Sequence, residues 1–107
     1  EKELYKEFFM HRTSHWLGLD VHDAGQYFDA PLKGGNSKPI KFQDSNVLTV
    51  EPGCYIKPNG NVPKEFWGIG IRIEDDVLVT SSGHKVLSEN APKEIKDLED
   101  VIGSLNE

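Results

Sequence analysis

The sequence has little of several features that mark particular protein classes. Cys54 is the single cysteine among 107 residues, so no disulfide can form within the chain, and a reducing, cytoplasmic compartment is expected. No apolar run approaches the roughly 20 residues that span a bilayer. Basic residues number 12 against 18 acidic ones, which gives a net charge of -6. Because nucleic acids and anionic membranes bind basic surfaces, neither is expected as a partner.

Two common catalytic motifs are also missing from the sequence. The glycines of the GIGI segment at 68–71 lead into a predicted strand and do not open a helix, which is the wrong context for a phosphate-binding loop. The spacing of His11 and His15 is not that of an H-E-x-x-H zinc helix, since no glutamate lies between them. Cys54 lies among β-type residues and is interpreted as a packed, small apolar side chain and not as a nucleophile.

Apolar periodicity predicts one domain with helices towards both ends and strands between them. Apolar spacing in EKELYKEFF predicts an amphipathic helix near the start, and Asn90 is predicted to cap a terminal helix with a buried stripe at Ile95, Leu98, Ile102 and Leu105. Strands are predicted at 47–50, 54–56, 69–74, 77–80 and 85–87, with loops at 31–46 and 57–68. This order predicts an α+β fold with a largely antiparallel sheet.

Three of the four histidines are clustered, at His11, His15 and His22. Histidine is the side chain most easily poised between proton donor, proton acceptor and metal ligand near neutral pH. Solvated or hydrogen-bonded loop histidines would explain the spacing equally well. The neighbouring Trp16 and Leu17 favour a functional role, because a histidine in apolar surroundings needs a specific partner such as a carboxylate or a metal.

Glu51 and Glu74 each follow or end a predicted strand. Alternation over 69–74 places Arg72 and Glu74 on one face, about 7 Å apart along the strand. An arginine beside a sheltered glutamate keeps the carboxylate charged and oriented, as a metal ligand requires. The competing interpretation is a charged strand end in water with an ordinary surface ion pair. One or more histidines and two carboxylates on separate strands are the donors of a site for a borderline-to-hard divalent metal, Mn, Co or Zn, and not those of a thiolate site.

Three motifs, in order, strongly resemble the carboxyl-terminal part of Xaa-Pro aminopeptidases (aminopeptidase P) of metallopeptidase family M24. They are HRTSHWLGLDVHD at 11–23, VLTVEPGCYI at 47–56 and GIGIRIEDDVLVTSSGHKVLS at 68–88, followed by APKEIKDLE at 91–99. The resemblance covers nearly the whole chain. It implies the carboxyl-terminal half of a pita-bread fold, with a mainly antiparallel curved sheet and flanking helices.

The resemblance also implies a metal site. His15 matches the family's histidine ligand, Glu51 a carboxylate ligand of one metal, and Glu74 the carboxylate that bridges both metals. Two divalent ions, commonly manganese with cobalt or zinc as alternatives, hold a hydroxide in such enzymes, and it attacks the carbonyl of the bond before proline. The glutamate that matches Glu51 is the usual candidate to move the proton.

The remaining implied site residues lie around the metals. His11 and His22 match histidines that line the substrate cleft, and Arg72 matches an arginine beside the bridging glutamate, so the implied catalytic residues are His11, His22, Glu51 and Arg72. Arg12 stands where the family commonly has glycine, and Ser45-Asn46 replaces a frequent Gly-Met. Two upstream aspartate ligands of the family have no counterpart in this sequence.

Residues 1–107 are therefore expected to be the carboxyl-terminal portion of an M24 catalytic domain, without its first half or the amino-terminal domain. The whole enzyme would remove the first residue from peptides with proline in second position, and this segment alone would be inactive. Expected partners are a proline-containing peptide, the rest of the catalytic domain and further copies of the chain. Two alternatives stay open: a prolidase-type Xaa-Pro dipeptidase, and a non-catalytic pita-bread module that binds proteins.

Overall fold

Residues 3–29, 37–59 and 61–103, which the computed structural model describes, form two antiparallel sheets with short helices. The strands are β1 (Val47–Val50), β2 (Gly53–Tyr55), β3 (Gly70–Arg72), β4 (Asp75–Thr80) and β5 (Gly83–Val86). One α-helix, α1 (Ile95–Gly103), and two 3-10 helices at Leu4–Glu7 and Lys64–Phe66 complete the described elements. The predicted α+β class with antiparallel pairing is confirmed.

The larger sheet has the order β1-β4-β5, and all its pairs are antiparallel. Val47 lies opposite Leu78 in β4, and Val50 lies opposite Asp75. The β4–β5 hairpin turns at residues 81 and 82, as the Ser-Ser-Gly signal predicts. β4 begins two residues before the predicted start, at Asp75, because β1 continues the pairing to that point.

The segment at 13–17, which contains His15, lies along the free edge of β1. Trp16 forms an isolated antiparallel bridge with Leu48. Three backbone hydrogen bonds continue this pairing: Leu17 N to Val47 O at 3.1 Å, Thr49 N to His15 O at 3.0 Å, and Glu51 N to Thr13 O at 2.7 Å. Because the segment is fixed to β1 by its backbone, residues 30 to 38 positions apart in the sequence become neighbours.

The smaller sheet pairs β2 with β3, from Gly53 opposite Arg72 to Tyr55 opposite Gly70. Its connection to the larger sheet is tight, since Ile73 N donates to Pro52 O at 3.2 Å. A Cβ atom on Gly53 would lie 2.7 Å from the Tyr55 ring and 3.0 Å from His11 Nε2. Glycine at this position therefore allows the two side chains to approach the backbone closely.

The fully buried part of the described chain is small. Leu48, Thr49 and Glu51 are buried, and many large apolar side chains are exposed. The predicted burial of the α1 stripe is wrong here: Ile95, Leu98 and Ile102 are 75%, 41% and 67% exposed, because no described strand packs against α1. Leu105 lies outside the described residues.

Three further sequence predictions need correction. The amino-terminal helix is a single 3-10 turn over Leu4–Glu7, since no described element covers its apolar side, and Leu4 and Tyr5 are exposed. α1 begins at Ile95, so Asn90 is not its cap. Cys54 is exposed, because it lies on the two-stranded sheet and no described side chain buries it. Among the described residues, no helix has the length and apolar character needed to cross a membrane.

Candidate metal centre

His15 is held in one orientation by its own neighbour. Its Nδ1 lies 2.9 Å from the carbonyl oxygen of Trp16, which can only accept, so Nδ1 carries the proton. Nε2 then faces Glu51 Oε1, 3.0 Å away. A ring nitrogen this close to a carboxylate oxygen either donates a proton to it or shares a metal ion with it.

Glu51 is a buried carboxylate with a fixed orientation. It is only 7% exposed, and the Thr49 hydroxyl donates to its Oε1 at 3.0 Å. The same hydroxyl accepts from the backbone N–H of His15 at 3.1 Å, and Thr49 itself is 1% exposed. Thr49 therefore orients both the backbone of His15 and the carboxylate of Glu51. Metal ligands need supporting hydrogen bonds of this kind.

Arg72 lies between the two glutamates. Its Nε is 3.2 Å from Glu74 Oε2, and a terminal nitrogen is 3.8 Å from Glu51 Oε2. The guanidinium is half exposed, so each ion pair contributes little to stability by itself. Its structural effect is to hold two carboxylates close together while balancing one of their two charges.

Three possible ligands converge at this point: one ligand atom each from His15, Glu51 and Glu74 lies within 4.8 Å of the others. Ligands of one divalent ion at about 2.0–2.2 Å stand roughly 3–4.4 Å apart, so a small inward adjustment would suit one ion. The donor set of one imidazole and two carboxylates fits Mn, Co or Zn. The residues present therefore fit a divalent cation on geometry and on donor chemistry.

Two further histidines lie close to this group. His11 Nδ1 lies 2.8 Å from the Arg12 carbonyl oxygen, its Nε2 lies 2.8 Å from the Tyr55 hydroxyl, and Nδ1 is also 3.9 Å from Glu51 Oε2. His22 is exposed, and its ring meets the His15 ring edge-on with centroids 4.4 Å apart. A cavity of about 410 Å³ is lined by Arg12, Ser14 and Tyr27 together with His11, His15, His22, Glu51 and Arg72.

Asp75, which follows Glu74, does not join this group of possible ligands and is bonded to other side chains. Its Oδ1 accepts from Lys93 Nζ at 2.7 Å and from the Ser88 hydroxyl at 2.6 Å. These hydrogen bonds, Lys93 first and Ser88 second, hold the pKa of the Asp75 carboxyl below its ordinary value of 3.8. Asp75 therefore anchors the chain before α1.

Two residues of this environment were not predicted from the sequence. Thr49 could have been found, because it lies two positions before Glu51 and side chains alternate along a strand, so both face the same side. Tyr55 had no such signal, since its contact with His11 spans 44 positions and depends on how two separate segments fold together.

An α+β fold in which an imidazole and two carboxylates converge defines a protein with a candidate metal centre. Comparison with known families then gives a specific assignment. The model described as "Metallopeptidase family M24" matches residues 1–81. The chain belongs to metallopeptidase family M24.

Individual relatives agree with this family. The chain is 45% identical to an Xaa-Pro aminopeptidase of Haemophilus influenzae over 102 residues, which are 95% of this chain and 22% of that protein. It superposes on aminopeptidase P II of Yersinia pestis with a TM-score of 0.81 and 42% identity, over 96% of this chain and 22% of that one. Aminopeptidase P of E. coli with the inhibitor Pro-Leu gives a TM-score of 0.79 and 41% identity, over 98% and 22%. The chain thus spans about a fifth of the relatives that it matches.

Proposed function

We propose that residues 1–107 are the carboxyl-terminal portion of the catalytic domain of an Xaa-Pro aminopeptidase. The whole enzyme would remove the first residue from peptides that have proline in second position. The convergence of His15, Glu51 and Glu74 within 4.8 Å supports this proposal most strongly. The names of the relatives at about 45% identity supply the substrate class.

In this proposal His15, Glu51 and Glu74 would hold the divalent metal. Manganese is the proposed metal, and cobalt and zinc are the alternatives that the donor set allows. Bound ions would polarise the peptide carbonyl and lower the pKa of water. The remaining ligands would come from the first half of the catalytic domain, outside this sequence.

The protein side chains divide the remaining work. Glu51 is the proposed general base, because Thr49 fixes its Oε1 while Oε2 stays directed towards the Arg72 side of the cavity. It would accept a proton from water and pass it to the leaving proline nitrogen. Arg72 would keep Glu51 and Glu74 ionised and correctly placed.

The two other histidines have different environments, and we assign them different roles. His22 is exposed at the cavity and is the proposed donor to the peptide carbonyl. Both ring nitrogens of His11 have protein partners, the Arg12 carbonyl and the Tyr55 hydroxyl, so His11 is proposed to position the substrate by shaping the cavity wall. The predicted role of each residue remains a proposal.

Exposed apolar side chains support the proposed contact with the rest of the catalytic domain. Ile71 in β3 and Ile102 in α1 are 58% and 67% exposed, and a folded enzyme would cover surfaces of this kind. The exposed, unpaired thiol of Cys54 fits the predicted reducing compartment. Cytoplasmic location and assembly into a homo-oligomer stay predictions.

The test is hydrolysis by the full-length protein with Mn²⁺. Release of the first residue from Ala-Pro-Ala, little release from Ala-Ala-Ala, and loss of activity with a chelator or in Glu51→Gln are expected. Glu65→Gln, which removes a charge from an exposed 3-10 helix, is the matched control. Cleavage of Ala-Pro with none of Ala-Pro-Ala would favour the dipeptidase alternative, and metal binding without hydrolysis of either would favour the binding module.

A further inference from the structure

Arg12 is a charged residue at the site that the proposed chemistry does not use. It lines the 410 Å³ cavity beside the candidate metal centre. It also lines a neighbouring, mainly apolar cavity of about 330 Å³, whose wall includes Trp16, Tyr27 and Phe42. Arg12 therefore lies where the two cavities meet, next to Tyr27, which lines both cavities.

An aromatic stack supports the Arg12 side chain. Its Cζ lies 5.8 Å from the centroid of the Tyr27 ring, within cation–π distance. Tyr27 stacks on Trp16 at 5.7 Å between centroids and 16° between planes, and its hydroxyl accepts from Trp16 N at 3.3 Å. Phe42 meets Trp16 edge-on at 6.1 Å. Because the supporting rings are fixed, the guanidinium loses less freedom when it binds a ligand.

The charge of Arg12 has no acidic partner in the described part of the chain. Arg72, the second arginine of the sequence, lies within ion-pair distance of Glu51 and Glu74. No carboxylate of residues 3–29, 37–59 or 61–103 lies within 4.0 Å of Arg12. The 410 Å³ cavity thus has the Glu51 carboxylate on the side of the candidate metal centre and a guanidinium without a carboxylate partner on the Tyr27 side.

From this arrangement we infer that Arg12 binds a carboxylate of the peptide substrate on the leaving side of the scissile bond. A guanidinium offers paired donors that match the two oxygens of a carboxylate, so the contact would be directional. The carboxylate could be the terminal group of a short peptide or an acidic side chain after proline. This inference rests on the proposed peptidase function and adds a specificity-determining residue to it.

The experiment compares three substrates in the full-length protein with Mn²⁺: Ala-Pro-Ala as the free acid, Ala-Pro-Ala amide and Ala-Pro-Glu amide. Arg12→Gln removes the charge, and Arg12→Lys keeps the charge without the paired donors. Lys85→Gln, on the exposed face of β5 and outside both cavities, is the control for loss of one positive charge. A charged hydrogen-bonded contact predicts that Arg12→Gln lowers the acid-to-amide ratio of kcat/KM by about 10- to 100-fold, mainly through KM. The acid-to-amide ratio of Arg12→Lys should lie between those of the wild type and Arg12→Gln, and the ratio of Lys85→Gln should match that of the wild type.

Each outcome decides the inference. Loss of preference for the free acid supports recognition of the terminal carboxylate, and loss of preference for the glutamyl amide over the alanyl amide supports recognition of a side chain. Equal losses with all three substrates would show a structural role and overturn the inference. Should the wild type cleave none of them, the proposed function fails, and calorimetry with Pro-Leu and Pro-Leu amide still tests Arg12. Binding of both ligands with equal affinity, unchanged in Arg12→Gln, would then refute carboxylate recognition.

Discussion

Replacing Thr49 by valine tests whether a buried hydroxyl organises the candidate metal centre. Valine keeps nearly the same shape but cannot donate to Glu51 or accept from the His15 backbone, contacts of 3.0 and 3.1 Å in the structure. Thr49 is 1% exposed, so water cannot easily replace the lost hydroxyl. The change therefore leaves the half-buried His15 N–H without its partner and one carboxylate oxygen with fewer donors.

The expected magnitude follows from these two contacts. A hydrogen bond to a charged group contributes about 1.5–3 kcal/mol, and an unsatisfied buried donor costs about 1–3 kcal/mol. Because both contacts share one atom, their effects overlap, and we expect the free energy of unfolding to fall by about 2–4 kcal/mol. Loss of support behind a metal ligand typically weakens metal affinity by about 10- to 100-fold.

The assays are urea denaturation of the metal-free protein and Mn²⁺ titration by calorimetry, both on the full-length protein. Thr49→Ser is the matched control, since it keeps the hydroxyl and removes one methyl group, at a cost of about 1 kcal/mol. Serine should retain Mn²⁺ affinity close to that of the wild type, and valine should not. If Thr49→Val binds Mn²⁺ as tightly as Thr49→Ser does, the reasoning about the hydroxyl is refuted.

Three other predictions concern backbone strain, acid stability and metal linkage. Ser45 has a φ of 70°, so Ser45→Gly should raise the unfolding free energy by about 0.5–1 kcal/mol, and a lower urea midpoint than in Ser45→Ala would contradict this. Lys93→Gln should raise the NMR-measured pKa of Asp75 towards 3.8. The lowered pKa of the folded state stabilises the protein until the pH falls through that pKa, so the variant should begin to unfold at a higher pH than the wild type does. Saturating Mn²⁺ should raise the Tm of the wild type, and it should raise the Tm of Glu74→Ala much less. Equal increases in the Tm of both proteins would exclude Glu74 as a ligand.

The sequence predicted the strands well because their signals are local. β1 lies at the predicted residues 47–50, and the hairpin of β4 and β5 follows from two apolar runs around a Ser-Ser-Gly turn. The strand pairing also explains why separated motifs come together, since His15 and Glu51 are brought into contact by the backbone of β1. The grouping of the predicted ligands depended on a family resemblance and not on periodicity.

The failures have a common physical cause, which is that burial depends on partners and not on pattern. The stripe on α1 has the spacing of a buried helix face, yet nothing in the described residues covers it. Cys54 has the sequence surroundings of a core residue but lies on a two-stranded sheet with one uncovered side. Apolar periodicity indicates which surface is available for packing and cannot indicate what packs there.

The two glutamates lie at the two crossings of the chain between the sheets. Glu51 precedes the step from β1 to β2, and Glu74 precedes the step from β3 back to β4, with Ile73 N and Pro52 O joining these steps at 3.2 Å. An ion held by both carboxylates would cross-link the sheets at their common joint. Metal occupancy would then decide whether they unfold as one cooperative unit or whether β2 and β3 open first. Amide hydrogen exchange of Ile56, whose N–H donates to Ile69 O at 2.8 Å, would record the difference.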